Sequence, residues 1–131
     1  MTNEVFIVSG ARTPIGSFMG NLSSFSAPEL AAAAIQKTLD TSSVEADQID
    51  EVLIGNVVSA GLKQAPARQA MRLAGIPDRC GATTINKVCG SGMKATMLAF
   101  DLIRSGSADT VLSGGMESCL LYTSPSPRDR G

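Results

Sequence analysis

The stretch at residues 83–95, TTINKVCGSGMKA, most constrains how this chain can fold, because it joins a β-branched run to an apolar helix at a cysteine. The turn is made by Gly90, Ser91 and Gly92, directly after Cys89. The first N–H groups of a helix have no intrahelical partner, and the helix dipole adds roughly half a positive charge there. A thiolate is stabilised at such a point, and glycine leaves room for a substrate. The pattern therefore predicts a nucleophilic cysteine on a strand-to-helix turn.

Two other interpretations fit the same stretch. Free cysteines are among the most often buried residues, so the first alternative is that Cys89 is an inert part of the core. The second is a dinucleotide site, because residues 90–95 fit the G-x-G-x-x-A fingerprint and Asp109 follows about twenty residues later. The acidic residue of that fingerprint belongs at the end of the next strand, whereas Asp109 precedes the apolar run at 110–112. The dinucleotide interpretation is therefore the weaker one.

The composition is typical of an α/β domain that does not bind nucleic acid or membranes. The chain has 131 residues, of which 44% are hydrophobic and 4% aromatic, which allows one domain or part of one. The net charge is −1 and the cations are scattered, so no basic stripe favours nucleic acid. No apolar run approaches the ~20 residues of a membrane helix, and the apolar start at 5–8 is too short for a signal peptide. We expect a cytoplasmic protein.

The cysteine and histidine counts restrict the chemistry further. Cys80, Cys89 and Cys119 have no spacing typical of a metal site, and an odd number argues against a disulfide framework. The chain contains 0 histidines, so it cannot supply an imidazole base to Cys89. We therefore expect no metal and no bound cofactor.

The order of elements predicts an α/β fold with a largely parallel sheet. Breakers and apolar periodicity divide the chain into strands and helices in the order β-α-β-α-β-α-β, which implies right-handed crossovers. The predicted strands are residues 4–10, 51–58, 82–88 and 110–115, and the predicted helices begin at residues 26, 66 and 91. The helix over 91–104 is apolar nearly all round, so it calls for burial on more than one side and implies a missing layer.

Four motifs, taken in order, resemble those of the thiolase family. They are residues 10–16 (GARTPIG), 55–57 (GNV), 86–95 (NKVCGSGMKA) and 114–118 (GGMES), and the resemblance covers residues 4–118. It implies a fold of two similar βαβαβαββ halves, with the nucleophile helix packed between two sheets. The chain would then be an incomplete first half over residues 1–118, truncated before the last strand of that half. Residues 119–131, rich in Ser, Pro and Arg, look like a disordered tail that is not native.

The resemblance also implies a reaction. Cys89 matches the family's nucleophile, whose thiolate takes an acyl group from acyl-CoA. A second acyl-CoA then condenses with it, or the reverse reaction cleaves a 3-ketoacyl-CoA. The substrates implied are acetyl-CoA, acetoacetyl-CoA or longer 3-ketoacyl-CoA, with CoA as a carrier. The complete protein is expected to be a homodimer or tetramer. The family's histidine and second cysteine belong to the second half, so this chain alone is expected to be inactive.

Two alternatives stay open at this point. One is a short chain that binds or assembles with a thiolase-like partner without turnover. The other is the related ketoacyl synthase family, which is weaker because that family usually places more serines directly after the cysteine.

Overall fold

Three helices and three strands alternate along the chain, in a computed structural model that describes residues 3–16, 20, 22 and 24–118. The order is α1 (Ala27–Thr41), β1 (Glu51–Gly55), α2 (Pro66–Leu73), β2 (Gly81–Ile85), α3 (Ser91–Arg104) and β3 (Val111–Gly115), with a short 3₁₀ turn at Ala46–Gln48. The sheet has the order β2-β1-β3 and both pairs are parallel. The predicted α/β class and parallel sheet are therefore confirmed.

The strand predicted over residues 4–10 is wrong, because no strand is present in residues 3–16 of the structure. The segment lies beside β3 and the end of α1, and a cavity of about 300 Å³ separates it from them. A strand exists only through backbone hydrogen bonds to a neighbour, and the backbone of residues 4–10 makes none with any residue that the structure describes. Phe6 and Ile7 are accordingly 72% and 88% exposed.

The start of α1 is fixed by a capping box that the sequence shows directly. Ser26 Oγ accepts from the N–H of Glu29 at 3.2 Å, and Glu29 Oε1 accepts from the N–H of Ser26 at 3.0 Å. Proline in the first turn needs no hydrogen-bond partner there. These contacts hold the pKa of Glu29 below its usual range, chiefly through the backbone N–H of Ser26.

The two faces of the sheet are covered unequally. Val52 and Ile54 of β1 point to one face, where they join a buried cluster with α1 and α2. Leu53 points to the other face, where only Ala95 and Ala99 of α3 join it among the buried residues described. The outer side of α3 leaves large apolar side chains in solvent: Met93, Met97 and Phe100. No helix in the described ranges is long and apolar enough to cross a membrane.

Candidate active site

Cys89 lies beyond the carboxyl end of β2 and is exposed. It borders an open cavity of about 520 Å³. The other walls come from the ends of β1 and β3, from the residues after β1, and from the first turn of α3. The sequence-predicted cysteine therefore lies where the carboxyl ends of three parallel strands meet, the edge at which open α/β sheets bind ligands.

The turn that carries Cys89 has an unusual backbone held by two side chains. Val88 has a φ of +49°, a left-handed conformation that is a genuine outlier for a β-branched residue. Asn86 Oδ1 accepts from the N–H of Val88 at 3.0 Å. Ser91 Oγ accepts from the N–H of Lys87 at 2.8 Å and donates to the carbonyl of Val88 at 2.6 Å. These bonds hold Val88 in a conformation that a β-branched residue rarely adopts, and they place Cys89 on the resulting bend.

Glycines let the strand ends approach the first turn of α3. A Cβ atom on Gly55 would lie 2.6 Å from the backbone N of Gly92, which no real side chain could occupy. A Cβ on Gly115 would lie 3.3 Å from the Cα of Gly92. Glycine at positions 55 and 115 therefore permits close helix-to-strand packing, which brings the start of α3 to the floor of the cavity.

The first turn of α3 offers free hydrogen-bond donors, of which the N–H of Gly92 lies at the cavity. Gly90 caps the helix without a side chain, and the N–H of Lys94 bonds its carbonyl at 2.8 Å. The N–H groups of Gly92 and Met93 make no hydrogen bond to any residue that the structure describes. Unpaired N–H groups together with the helix dipole stabilise negative charge nearby. A thiolate on Cys89, or an oxyanion formed beside it, fits this position.

Glu117 closes the opposite wall. Its Oε1 accepts from the N–H of Val57 and from Asn56 Nδ2, the latter at 3.0 Å, and its Oε2 accepts from the N–H of Val58 at 3.0 Å. Sequence reasoning gave neither Glu117 nor Asn56 a role at the site. The signal in the sequence was that Asn56 follows β1 directly and Glu117 lies two residues after β3, at the edge where Cys89 also lies.

The other cysteines differ from Cys89. Cys80 is only 1% exposed, and burial, with a smaller effect of the nearby Glu51 charge, raises the pKa of its thiol. Cys119, like all of the predicted tail at 119–131, lies outside the described residues. In the described ranges no three acidic, histidine or cysteine side chains come together as a metal site.

Comparison with known proteins decides the family, because the family described as "Thiolase, N-terminal domain" matches residues 5–126. The chain belongs to the thiolase family. The match continues past residue 118, where the resemblance in the sequence was expected to end. The close approach of Gly92 to Gly115 accounts for a glycine at position 92 without a dinucleotide.

Similarity to curated acetyl-CoA acetyltransferases and to a solved thiolase structure supports the same family. The chain is 51% identical to the mitochondrial acetyl-CoA acetyltransferase of Danio rerio over 88% of its length and 28% of the relative. It is 46% identical to the acetyl-CoA acetyltransferase of Pseudomonas aeruginosa over 95% of its length and 32% of the relative. The Ascaris suum Acat5 thiolase, solved in complex with coenzyme A, matches with a TM-score of 0.85 and 38% identity, over 92% of this chain and 31% of that one. The chain thus spans about a third or less of these thiolases.

Proposed function

We propose that Cys89 is the acyl-accepting nucleophile of a thiolase-type acyltransferase, and that this chain supplies the nucleophile half of its active site. The observation that carries the proposal is the position of Cys89. It is exposed, lies at the carboxyl edge of the parallel sheet, and sits beside the free N–H groups of α3. The alternative interpretation, an inert cysteine in the core, describes Cys80, which is buried, and not Cys89.

The chemistry follows from that position. The Cys89 thiolate attacks the carbonyl carbon of an acyl-CoA thioester, a C–S bond forms, and the tetrahedral oxyanion is stabilised by N–H donors at the helix start. Collapse of the intermediate expels the CoA thiolate and leaves the acyl group on Cys89. A second acyl-CoA, deprotonated at its α-carbon, then attacks that acyl group and releases the free Cys89 thiolate. Thiolysis of a 3-ketoacyl-CoA is the reverse sequence.

The names of the relatives support the substrate class. The curated relatives are acetyl-CoA acetyltransferases, and the Ascaris suum thiolase holds coenzyme A. We propose acetyl-CoA and acetoacetyl-CoA, or longer 3-ketoacyl-CoA, as substrates of the complete protein.

We propose that this chain alone does not catalyse the acyl-transfer reaction. The α-proton needs a base, the chain contains 0 histidines, and the acidic side chain at the cavity, Glu117, is occupied by backbone N–H groups. The exposed side of α3 with Met93 and Met97 fits a surface that a second half would cover. The same surface favours the second candidate function, a fragment that assembles with a thiolase-like partner without catalysis.

Three further points are proposals. Assembly as a homodimer or tetramer and a cytoplasmic location rest on family resemblance. Several relatives, those from Danio rerio, Mus musculus and Bos taurus, are named mitochondrial. We also propose that residues 1–118 are the domain and that 119–131 do not belong to it. This boundary is supported by the Ser-, Pro- and Arg-rich composition of the tail, while the family match reaches residue 126. Resequencing the coding DNA beyond the Ser118 codon decides between the two boundaries.

A chimera tests the function. Residues 1–118 would replace the matching part of the Pseudomonas aeruginosa acetyl-CoA acetyltransferase, and thiolysis of acetoacetyl-CoA would be measured. We expect activity in the chimera, none in its Cys89→Ala variant, and none in the 131-residue chain alone. Activity that survives Cys89→Ala in the folded chimera would refute the nucleophile. Thiolysis by the chain alone, abolished by Cys89→Ala, would refute the predicted inactivity.

A further inference from the structure

Two carboxylates hold backbone amides at opposite ends of the sheet. At the amino end, Asp50 precedes β1, and its Oδ2 accepts from the N–H groups of Asp109 and Thr110 at 2.8 and 3.0 Å. At the carboxyl end, Glu117 follows β3 and accepts from the N–H groups of Val57 and Val58 after β1. Each carboxylate thus joins β1 to β3 across the sheet. Only the Glu117 contact borders the cavity at Cys89.

Asn56 extends the Glu117 contact to the third strand. Its side chain is 2% exposed and donates to Glu117 Oε1 and to the carbonyl of Met116, both at 3.0 Å. Its backbone N–H donates to the carbonyl of Ile85 at 2.9 Å, at the end of β2. The ends of β1, β2 and β3 are therefore joined by one set of hydrogen bonds, and Cys89 follows the end of β2 by four residues.

We propose that Glu117 is a positioning residue for the acyl-transfer reaction, which fixes the backbone at Val57 and Val58 as a rigid wall facing Cys89. The inference rests on the proposed function of Cys89. The two residues and Glu117 line the same cavity as the cysteine, so a shift of this wall changes where a thioester carbonyl can sit. A misplacement of about 1 Å costs on the order of a hundredfold in rate when the reacting atoms must meet in one geometry.

The contacts of Glu117 favour a positioning role over a role as the base. Both carboxylate oxygens already accept hydrogen bonds from N–H groups, and such charge-assisted bonds are roughly twice as strong as neutral ones. The N–H groups of Val57 and Val58 are in turn used, so they cannot act as donors to an oxyanion. A donor that stays free at the cavity is the N–H of Gly92 at the start of α3, on the wall that carries Cys89.

The test compares two reagents on the 131-residue chain. S-phenyl thioacetate transfers an acetyl group through a tetrahedral oxyanion, whereas iodoacetamide alkylates the thiolate without one. The rates at Cys89 are resolved by peptide mass spectrometry in the unaltered chain, in Glu117→Ala and in Glu117→Gln. Asp50→Ala is the matched control, because it removes the equivalent carboxylate at the end remote from Cys89. Labelling of the buried Cys80 reports loss of folding.

We expect Glu117→Ala to lower the ratio of the acetylation rate to the alkylation rate at Cys89 by about tenfold or more. Glu117→Gln should restore part of the ratio, since an amide oxygen still accepts from backbone N–H groups. Asp50→Ala should leave the ratio unchanged, and Cys80 should stay protected in every variant. Amide hydrogen exchange should accelerate at Val57 and Val58 in Glu117→Ala.

Four results would overturn the proposal. An unchanged ratio in Glu117→Ala would make the Glu117 contact structural only, as would an equal fall in Asp50→Ala. Should Glu117→Ala expose Cys80, the Glu117→Gln variant decides, because its amide nitrogen cannot accept from the N–H of Val58. Faster amide exchange at Val58 in Glu117→Gln with an unchanged ratio refutes positioning. If the unaltered chain is alkylated but never acetylated at Cys89, the nucleophile itself is refuted and the positioning role falls with it.

Discussion

Strand β2 has a cysteine near each end, and the two differ in almost every physical respect. Cys80 directly precedes the strand, is 1% exposed, and packs with α1 and α2 in the larger buried cluster. Cys89 follows the strand, is exposed, and borders the open cavity. Residue type is therefore a poor guide to reactivity. The surroundings differ, because burial raises the pKa of the Cys80 thiol, whereas Cys89 lies exposed beside the start of a helix.

The segments on either side of β2 repeat the contrast. Helix α2, which precedes β2, buries Met71 completely, whereas α3, which follows it, leaves Met97 53% exposed. The helix before β2 thus packs into the buried core, whereas the helix after β2 has one face in solvent. The residues that stabilise the fold thus lie at the amino end of β2, and the proposed nucleophile lies beyond its carboxyl end.

The largest expected difference is in alkylation by iodoacetamide. Cys80 reacts only when the structure opens, and global opening of a stable domain at ~5 kcal/mol would slow it by about three orders of magnitude or more relative to Cys89. Peptide mass spectrometry over a time course measures both rates in one sample. Comparable rates for the two cysteines in the native chain would contradict the contrast.

The second-largest difference is expected when one methionine is truncated on α2 and one on α3. Met71→Ala leaves a cavity in the buried cluster and should lower the free energy of unfolding by about 2–5 kcal/mol. Met97→Ala removes an exposed side chain and should change it by less than about 0.5 kcal/mol. Urea denaturation followed by circular dichroism provides both values. Equal losses would mean that α3 is as closely packed as α2.

A glycine pair tests the close approach at the carboxyl end. Gly55→Ala places a methyl group 2.6 Å from the backbone N of Gly92, so it should destabilise the chain by about 1–3 kcal/mol and displace the start of α3. Gly114→Ala is the matched control on β3, because a Cβ there meets nothing within 4 Å. Urea denaturation and the rate of Cys89 alkylation should both respond to the first substitution only.

The smallest effect is a pH dependence from the amino end of the sheet. The N–H groups of Asp109 and Thr110 hold the pKa of Asp50 below its ordinary value. The stability that this carboxylate contributes is therefore present above its unfolded pKa of about 4, and is lost as the pH falls through the lower folded value. The urea concentration at the unfolding midpoint, measured from about pH 6 down to about pH 2, should fall less steeply in Asp50→Asn than in the unaltered chain. An identical slope would show that the two N–H contacts are not formed in solution.

The sequence predicted the local parts of this arrangement. The bounds of α3 at Ser91 and Arg104, the capping box at Ser26 and the turn at Cys89 all follow from residues close together in the chain. The strand at 4–10 failed because its apolar pattern shows strand propensity but not the neighbour that a strand requires. Asn56 and Glu117 were missed because their contact joins residues 61 positions apart, which no local pattern reveals. The positive φ of Val88 was also missed, although its hydrogen-bond partners Asn86 and Ser91 lie close in the sequence, because a β-branched residue rarely adopts this conformation.

Acetylation of the native 131-residue chain by S-phenyl thioacetate tests the central claim most directly. This small thioester needs no CoA-binding residues, and mass spectrometry locates the acetyl group. We predict a thioester adduct on Cys89, none on the buried Cys80, and no adduct at position 89 in a Cys89→Ala chain that unfolds at the same urea concentration. An unmodified Cys89, or acetylation of Cys80 at the same rate, would contradict the assignment of Cys89 as the acyl-accepting nucleophile.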